Sequence, residues 1–291
     1  MPDYGHDLLF GLVLTPLAGR AREVVALARI ADQSGLDLVS VADHSYQPAF
    51  LDAWTLLSVI AARTTRVRVF PNVATLPLRP PAALARAAAS LDILSGGRAE
   101  LGLGAGAYWD AIAAEGGPRR TPGHALEALR EAVAVIRALW ETGGEGAWVH
   151  GEHYRLDGAS PGPAPEHHIA IWVGALKPRI LRLVGQVADG WLPSWPRIPP
   201  HQLASGQRIV DDAAVAAGRS PGSIRRLYNI APAGPPTAWA PQLAELTLEH
   251  GVSGFLLPTD SPEVVRLYAA EVVPAVRELV NAARNTTAPA R

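Results

Sequence analysis

The chain has 291 residues, no cysteine, and 26 basic against 27 acidic residues. That length suits one α/β barrel, which takes about 250 residues, and the missing thiols exclude disulfides, thiolate metal ligands and a cysteine nucleophile. A net charge of -1, with no run of Lys or Arg, argues against nucleic-acid or membrane-surface binding. The stretch Met1 to His6 lacks a basic region followed by an apolar core, and no apolar run reaches about 18 residues. Neither a signal peptide nor a membrane span is expected, and the expectation is a cytoplasmic protein.

Short apolar runs alternate with helical patterns along the chain. Leu8 to Leu14 reads as a buried strand, and Val24, Leu27, Ala28 and Ala31 then recur on one helix face until Gly35. Leu36 to Ala42 is a second strand. Ala53, Leu56, Leu57, Ile60 and Ala61 form the next helical stripe, with Asp52 as N-cap. Val67 to Val73 is a third strand. Pro80-Pro81 opens the following helix, where a missing N–H costs nothing, and Gly96-Gly97 stop it. Arg98 to Leu103 is a fourth strand, and Leu126, Leu129, Val133, Ile136 and Trp140 mark a long helix.

Residues 141 to 168 break this rhythm with many Gly and Pro, and Trp148 to Leu156 read as a small hairpin. Ile169 to Val173 is a fifth strand, followed by a helix carrying Ile180, Leu183, Val184 and Val187. Trp191-Leu192 is a short sixth strand before a helix over 200 to 217. Ile224 to Ala231 is a seventh, with a helix near 239 to 250, and Val252 to Leu257 is the eighth. A last helix runs from Ser261-Pro262 to Ala283, and residues 285 to 291 read as a frayed tail. Eight apolar strands, each followed by a helix, predict a parallel sheet closed as a single-domain (β/α)8 TIM barrel over residues 1 to 291, with an irregular insertion between helix four and strand five. An open doubly wound sheet is the alternative. In both, the site lies at the carboxyl ends of the strands.

The residues after the strands are therefore the candidates. Asp43 and His44 follow strand two, and a His there can donate to a carbonyl or exchange a proton with substrate; a structural His is the alternative. Asn72-Val73 end strand three, Thr75 and Leu76 follow, and then come Leu78-Arg79-Pro80-Pro81, whose Pro and Arg close a loop on the simplest reading. Gly102, Gly104 and Gly106 end strand four, where missing side chains let a ligand approach the backbone. The run is not a dinucleotide fingerprint, because earlier βα units precede it and Glu127 at the expected acidic distance lies within a helix. Tyr108 and Trp109 follow and can stack on a ring or pack. Gly174, Ala175, Leu176 and Lys177 open a helix whose free N–H groups and cation suit an anion. Ser194 and Arg197, after strand six, are candidates for the same anion. The nine histidines form no zinc spacing, so no metal site is expected, and there is no nucleophile elbow or phosphate loop.

Asp43-His44, Asn72-Val73, the stretch from Ala88 to Arg98, the run from Leu101 to Gly106 and Ala188 to Trp191 together resemble the bacterial luciferase-like family. The resemblance covers roughly residues 8 to 282. That family comprises FMN-dependent monooxygenases and oxidoreductases that use the deazaflavin coenzyme F420. The resemblance implies a (β/α)8 barrel with the flavin ring at its mouth. It implies that Asp43 and His44 lie near the reactive ring, and that a non-proline cis peptide at Asn72-Val73 props it. Gly104, Ala105 and Gly106 would border the cofactor. Its phosphate end would rest on Gly174, Ala175, Leu176 and Lys177, with Ser194 and Arg197 nearby.

Asp-His after strand two resembles the deazaflavin branch more than the monooxygenases, which often carry Glu-His. The sugar-phosphate dehydrogenases of that branch, however, carry a catalytic Glu where this chain has Ala107. The connections around strands seven and eight are short, so the usual substrate-covering insertion is expected to be reduced. The expected activity is hydride transfer between F420 and a small organic substrate. FMN with oxygen and a partner flavin reductase is the alternative, followed by a non-catalytic flavin- or F420-binding protein and, from another class, a metal-dependent hydrolase. The resemblance also implies a homodimer.

Overall fold

A computed structural model describes residues 3–195 and 197–287. All eight predicted barrel strands are present in order: β1 (Leu9–Leu14), β2 (Leu38–Val41), β3 (Arg68–Pro71) with β4 (Ala74–Thr75), β5 (Leu101–Gly104), β8 (Ile171–Val173), β9 (Gly190–Trp191), β10 (Arg225–Asn229) and β11 (Gly254–Pro258). β6 (Ala147–His150) and β7 (Arg155–Ala159) form a separate antiparallel hairpin in the predicted insertion. Every pairing in the main sheet is parallel. Its order runs β3-β2-β1-β11-β10-β9-β8-β5-β4. The two edges are halves of the predicted third strand, interrupted at Asn72-Val73. Parallel bridging of Val69 in β3 to Ala99, just before β5, brings the sheet round on itself.

The helices are α1 (Ala21–Gln33), α2 (Ala53–Arg63), α3 (Pro81–Ser95), α4 (Trp109–Ala114), α5 (Pro122–Trp140), α6 (Pro178–Val187), α7 (Pro200–Ala216), α8 (Trp239–His250), α9 (Pro262–Leu267) and α10 (Val273–Thr287). Asp52 caps α2 as expected, accepting the Thr55 N–H at 2.8 Å. α4 is a short helix that the apolar pattern did not announce. The last predicted helix is α9 and α10 joined by one wide turn over Tyr268–Val272. It continues through Thr287, so residues 285 to 287 are helical rather than frayed; the rest of the expected tail lies outside the described residues.

Two apolar layers follow from the strand pattern. Leu38, Phe70, Trp172, Leu192, Leu227 and Leu256 cluster in one, with the Phe70 and Trp172 rings edge-on at 4.8 Å. A larger layer packs the alternate strand residues against the helix stripes, including Leu27, Ile60, Leu91, Leu129, Ile136 and Val184. Burial of that kind is worth about 1.5–3 kcal/mol per large side chain. Among the described residues, no helix is long and apolar enough to cross a membrane.

The fourth predicted strand begins three residues later than expected. Arg98 instead spans the gap to α2, donating to Ala61 O at 2.9 Å and Val67 O at 2.9 Å. Its side chain ties the helix end to the strand start, which a purely apolar pattern does not reveal. What this frame positions is a ring of strand ends: Asp43-His44, Asn72-Val73, Gly104-Ala105-Gly106, Gly174-Ala175 and Asn229 all leave the sheet at the same end.

Candidate active site

A cleft of about 560 Å³ opens at the carboxyl ends of β2, β4, β5 and β8. Val73, Ala74, Gly104, Ala105, Gly106 and Gly174 form its backbone-rich wall. Trp109, Leu126 and Ile180 contribute apolar side chains, His44 and Tyr46 lie on one side, and Lys177 and Arg179 supply the cations. No aspartate or glutamate is among its lining residues.

The wall is built from close packing. A Cβ on Gly102 would meet Pro71 O at 2.1 Å, and one on Gly104 would meet the Val73 side chain at 2.6 Å. These glycines are therefore required where β5 passes the interrupted third strand, not only where a ligand approaches. Gly106 has φ of 96°, a backbone region that side chains avoid, and turns the chain towards α4 and Trp109. The Asn72-Val73 peptide is cis.

Beneath this wall runs a polar network across the barrel. Asn72 Nδ2 donates to Ser40 Oγ at 3.1 Å and to Asn229 Oδ1 at 2.8 Å. Asn229 Nδ2 in turn donates to Ser194 Oγ at 2.9 Å. Ser194 was expected to join an anion site with Lys177 and Arg197. Its hydroxyl is instead engaged by Asn229, and it does not line the cleft. Arg197 faces an adjoining depression with Leu176, Lys177 and Gln202, not the cleft itself. The residue that joins Lys177 is Arg179, one step inside the helix.

The phosphate-type end follows from the start of α6. Pro178 occupies the first helical position, and no side chain caps the helix. The N–H groups of the first turn thus have no capping acceptor, and the helix dipole favours an anion there. Gly174 and Ala175 hold the approach: Gly174 N–H donates to Leu103 O at 3.1 Å, and Ala175 O accepts from Trp191 Nε1 at 2.9 Å. Ala175 is buried, whereas Leu176 and Lys177 are exposed.

At the other side, Asp43 and His44 part company. The Asp43 carboxylate is buried and takes a two-pronged bond from Arg79, with Nε and a terminal nitrogen each at 2.7 Å. It also accepts the Thr75 N–H at 3.0 Å, while its carbonyl accepts Thr75 Oγ1 at 2.6 Å. Arg79 reaches on to Asp52 at 2.6 Å, the cap of α2. Burial opposes the Arg79 charge, but its bonds to Asp43 and Asp52 outweigh this and raise its pKa. Asp43 therefore does not share the cleft with His44 as expected; it anchors the turn on which His44 stands. Arg79, which had read as loop closure, is the partner the sequence did not reveal.

His44 lines the cleft, and its Nδ1 lies 2.7 Å from Tyr46 OH. Its ring meets Tyr108 edge-on at 5.8 Å. Burial lowers the His44 pKa, with Asp43 pulling weakly the other way, so the ring is neutral at pH 7. Burial, aided by Tyr108, Asp43 and Glu115, pushes the Tyr46 phenol up to about 12.

Residues 8–238 match the family model described as luciferase-like monooxygenase. The chain belongs to that family. It is 33% identical over 235 residues to an F420-dependent glucose-6-phosphate dehydrogenase of Nocardia farcinica, covering 77% of this chain and 68% of the relative. Among solved structures, an F420-dependent secondary alcohol dehydrogenase in complex with an F420-acetone adduct superimposes with a TM-score of 0.80 at 20% identity, covering 94% of this chain and all of that one. The FMN complex of the oxygenating constituent of a diketocamphane monooxygenase from Pseudomonas putida has a TM-score of 0.70 at 20% identity, covering 92% and 98%. These likenesses agree with the luciferase-like barrel. The family is one of oxidoreductases, and its members at this fold use F420 or FMN.

The cleft suits such a group. Its wall of Val73, Gly104 to Gly106 and Gly174 is thin and apolar, as a flat ring needs, and its cations stand at an uncapped helix start, as a phosphate needs. Trp109, Leu126 and Arg179 complete it. Of these, Arg179 was findable by carrying the anion argument one residue into the helix. Asn229 was not, because the predicted seventh strand ran on to Ala231 and the observed one ends at Asn229.

Proposed function

We propose that this chain is an F420-dependent oxidoreductase acting on a small, uncharged organic alcohol or carbonyl. The observation that carries the reading is the cleft itself, which has His44 and Tyr46 on one side and two cations at a helix start. Relatives at about a third identity that are F420-dependent support the same branch. When bound, the deazaflavin supplies a hydride acceptor or donor. The chain's own residues would do the rest. Val73, Gly104, Ala105, Gly106 and Gly174 would hold the ring against the wall. Lys177 and Arg179 would neutralise the phosphate, with Arg197 beyond them for the outer part of the molecule. His44 would exchange a proton with the substrate oxygen, and Asp43 with Arg79 would keep the His44 turn in place. Ala107 lines the same cleft, where a sugar-phosphate dehydrogenase would carry its acid, so glucose 6-phosphate is not the substrate we assign.

The test is a parallel titration with F420 and FMN, read by the fluorescence of Trp109 in the cleft wall. F420 binding with quenching supports the reading, and loss of quenching in Trp109→Phe ties the signal to this cleft. Binding of FMN alone would make the protein a monooxygenase candidate that needs a reductase. Binding of neither would sink the cofactor assignment.

A further inference from the structure

We propose that Tyr46 is a positioning residue that decides which nitrogen of His44 exchanges protons: the phenol oxygen accepts Nδ1–H, and Nε2 is left as the exchanging atom. The inference rests on His44 being the proton-exchanging group of the proposed reaction, but its geometry is independent of the cofactor. Tyr46 OH lies 2.7 Å from Nδ1, and the two rings stand 5.4 Å apart, tilted by 40°. Among the described residues, no other hydrogen bond reaches either His44 nitrogen or the Tyr46 hydroxyl. Both side chains line the cleft, and none of its other lining residues is an acid. His44 and Tyr46 are therefore its one neutral acid–base pair, the remaining titratable groups there being the cations Lys177 and Arg179.

A neutral imidazole has one N–H, and its place matters. If Nε2 carried it, the Tyr46 hydroxyl would donate to Nδ1, and neither ring nitrogen would keep a free lone pair to take a substrate proton. If Nδ1 carries it, Tyr46 accepts it, and the phenol proton can go to water because Tyr46 sits at the rim, only partly buried. The second arrangement leaves Nε2 with a free lone pair. For a substrate hydroxyl, the O–H bond breaks and an N–H bond forms at Nε2. The ring becomes an imidazolium whose Nδ1–H stays on Tyr46. In the reverse direction the carbonyl is the substrate: its oxygen would take the Nε2 proton as its carbon takes a hydride, giving the alcohol and a neutral ring. The phenol remains neutral throughout, in keeping with its raised pKa.

The groups facing this pair are accounted for. Asp43 is held by Arg79 and Thr75, Glu115 accepts Ser45 Oγ at 2.6 Å, and Tyr108 contacts both rings by its edge or at a tilt without a hydrogen bond. Tyr46 is thus the polar partner that His44 has on the protein side.

The experiment is two-bond ¹H–¹⁵N NMR of the full chain without cofactor, His44 being identified by the signal lost in His44→Asn. The wild-type ring is expected as the Nδ1–H form above its titration midpoint. Tyr46→Phe is expected to shift the ring to the Nε2–H form that imidazole prefers in water, and to lower its midpoint by about half a pH unit or more through loss of one acceptor. Tyr108→Phe is expected to change neither, because it removes ring substitution without a bond. An Nε2–H wild-type ring would overturn the proposal, and so would a Tyr46→Phe protein with an unchanged tautomer. The wild-type spectrum decides even if a variant fails to fold. Failure of F420 to bind would leave these spectra untouched, so this inference and the proposed function fail separately.

Discussion

At the foot of the barrel, Asp32 accepts backbone N–H groups from Thr65, Arg66 and Val67, and Asp92 accepts them from Ala99, Glu166 and His167. Glu100 takes Ala170 N–H at 2.7 Å and Asp189 takes Ile171 N–H at 2.8 Å. Each acid sits near the start of a strand and fastens a neighbouring segment to it. At the mouth the order is reversed: His44, Lys177 and Arg179 point polar groups into the cleft, and the first turn of α6 has no cap. The foot uses its carboxylates to complete its own backbone, and the mouth leaves its donors for something else. In a barrel, that difference separates stability from function.

Breaking the foot has the largest expected effect. Asp92 is fully buried and holds three backbone N–H groups and the His167 ring, so Asp92→Ala strands them all. Stripping one partner from such a cluster costs about 3–5 kcal/mol. Denaturant unfolding is expected to show that loss, with F420 affinity of the folded protein unchanged. A fall in affinity of tenfold or so would mean that the two ends are coupled and the comparison is wrong.

The Asp43–Arg79 pair tests the comparison from the other side, since it is a saturated, foot-like pair placed at the mouth. Arg79→Met leaves the Asp43 carboxylate buried with one N–H donor. A cost of about 3 kcal/mol in stability is expected, from the uncompensated charge. Because His44 stands on the same turn, this variant is also expected to disturb the His44 NMR signal, which Asp92→Ala leaves alone.

Lys177→Ala should do the opposite of both. Lys177 is exposed and, among the described residues, makes no ion pair, so unfolding is expected to be unaltered within about 0.5 kcal/mol. F420 affinity is expected to fall tenfold to a hundredfold, the loss of one charge-assisted bond of about 1.5–3 kcal/mol. Unchanged affinity would move the phosphate away from α6.

These contrasts also explain how far the sequence could be read. The strands and helices were legible because burial on both strand faces and on one helix face leaves a direct apolar signature. His44, Gly104 to Gly106 and Lys177 were legible as cleft residues because strand ends in a parallel barrel converge on one mouth. The break at Asn72-Val73 divides one strand into β3 and β4, which apolarity cannot show, since Val73 and Ala74 continue the run. Partners distant in sequence were not legible either. Arg79 meets Asp43 across 36 residues and Asn229 meets Asn72 across 157, so neither Arg79 nor Asn229 announces its role locally. Ser194 failed for the same reason: its position after strand six was read correctly, but the side chain that claims its hydroxyl comes from the next strand.

The smallest effect is the most diagnostic, because His167 at the foot and His44 at the mouth are shifted in opposite directions. At the foot, the Glu100 carboxylate facing Nε2 and the Asp92 carboxylate at Nδ1 raise the His167 pKa in spite of partial burial. At the mouth, burial lowers that of His44. The unfolded chain titrates both near about 6.5. His167 therefore binds its proton more tightly when folded. Its contribution is fully present below about 6.5 and is lost as pH rises through the higher folded value. His44 binds its proton less tightly when folded, so it removes stability as pH falls below about 6.5 towards the lower folded value. His167→Gln is expected to flatten the stability profile on the alkaline side of 6.5, and His44→Asn to flatten it on the acid side. Unfolding free energies from pH 5 to 8 measure both. Loss of the same limb in both variants would show that foot and mouth titrate as one unit, and the division between them would then have no electrostatic basis.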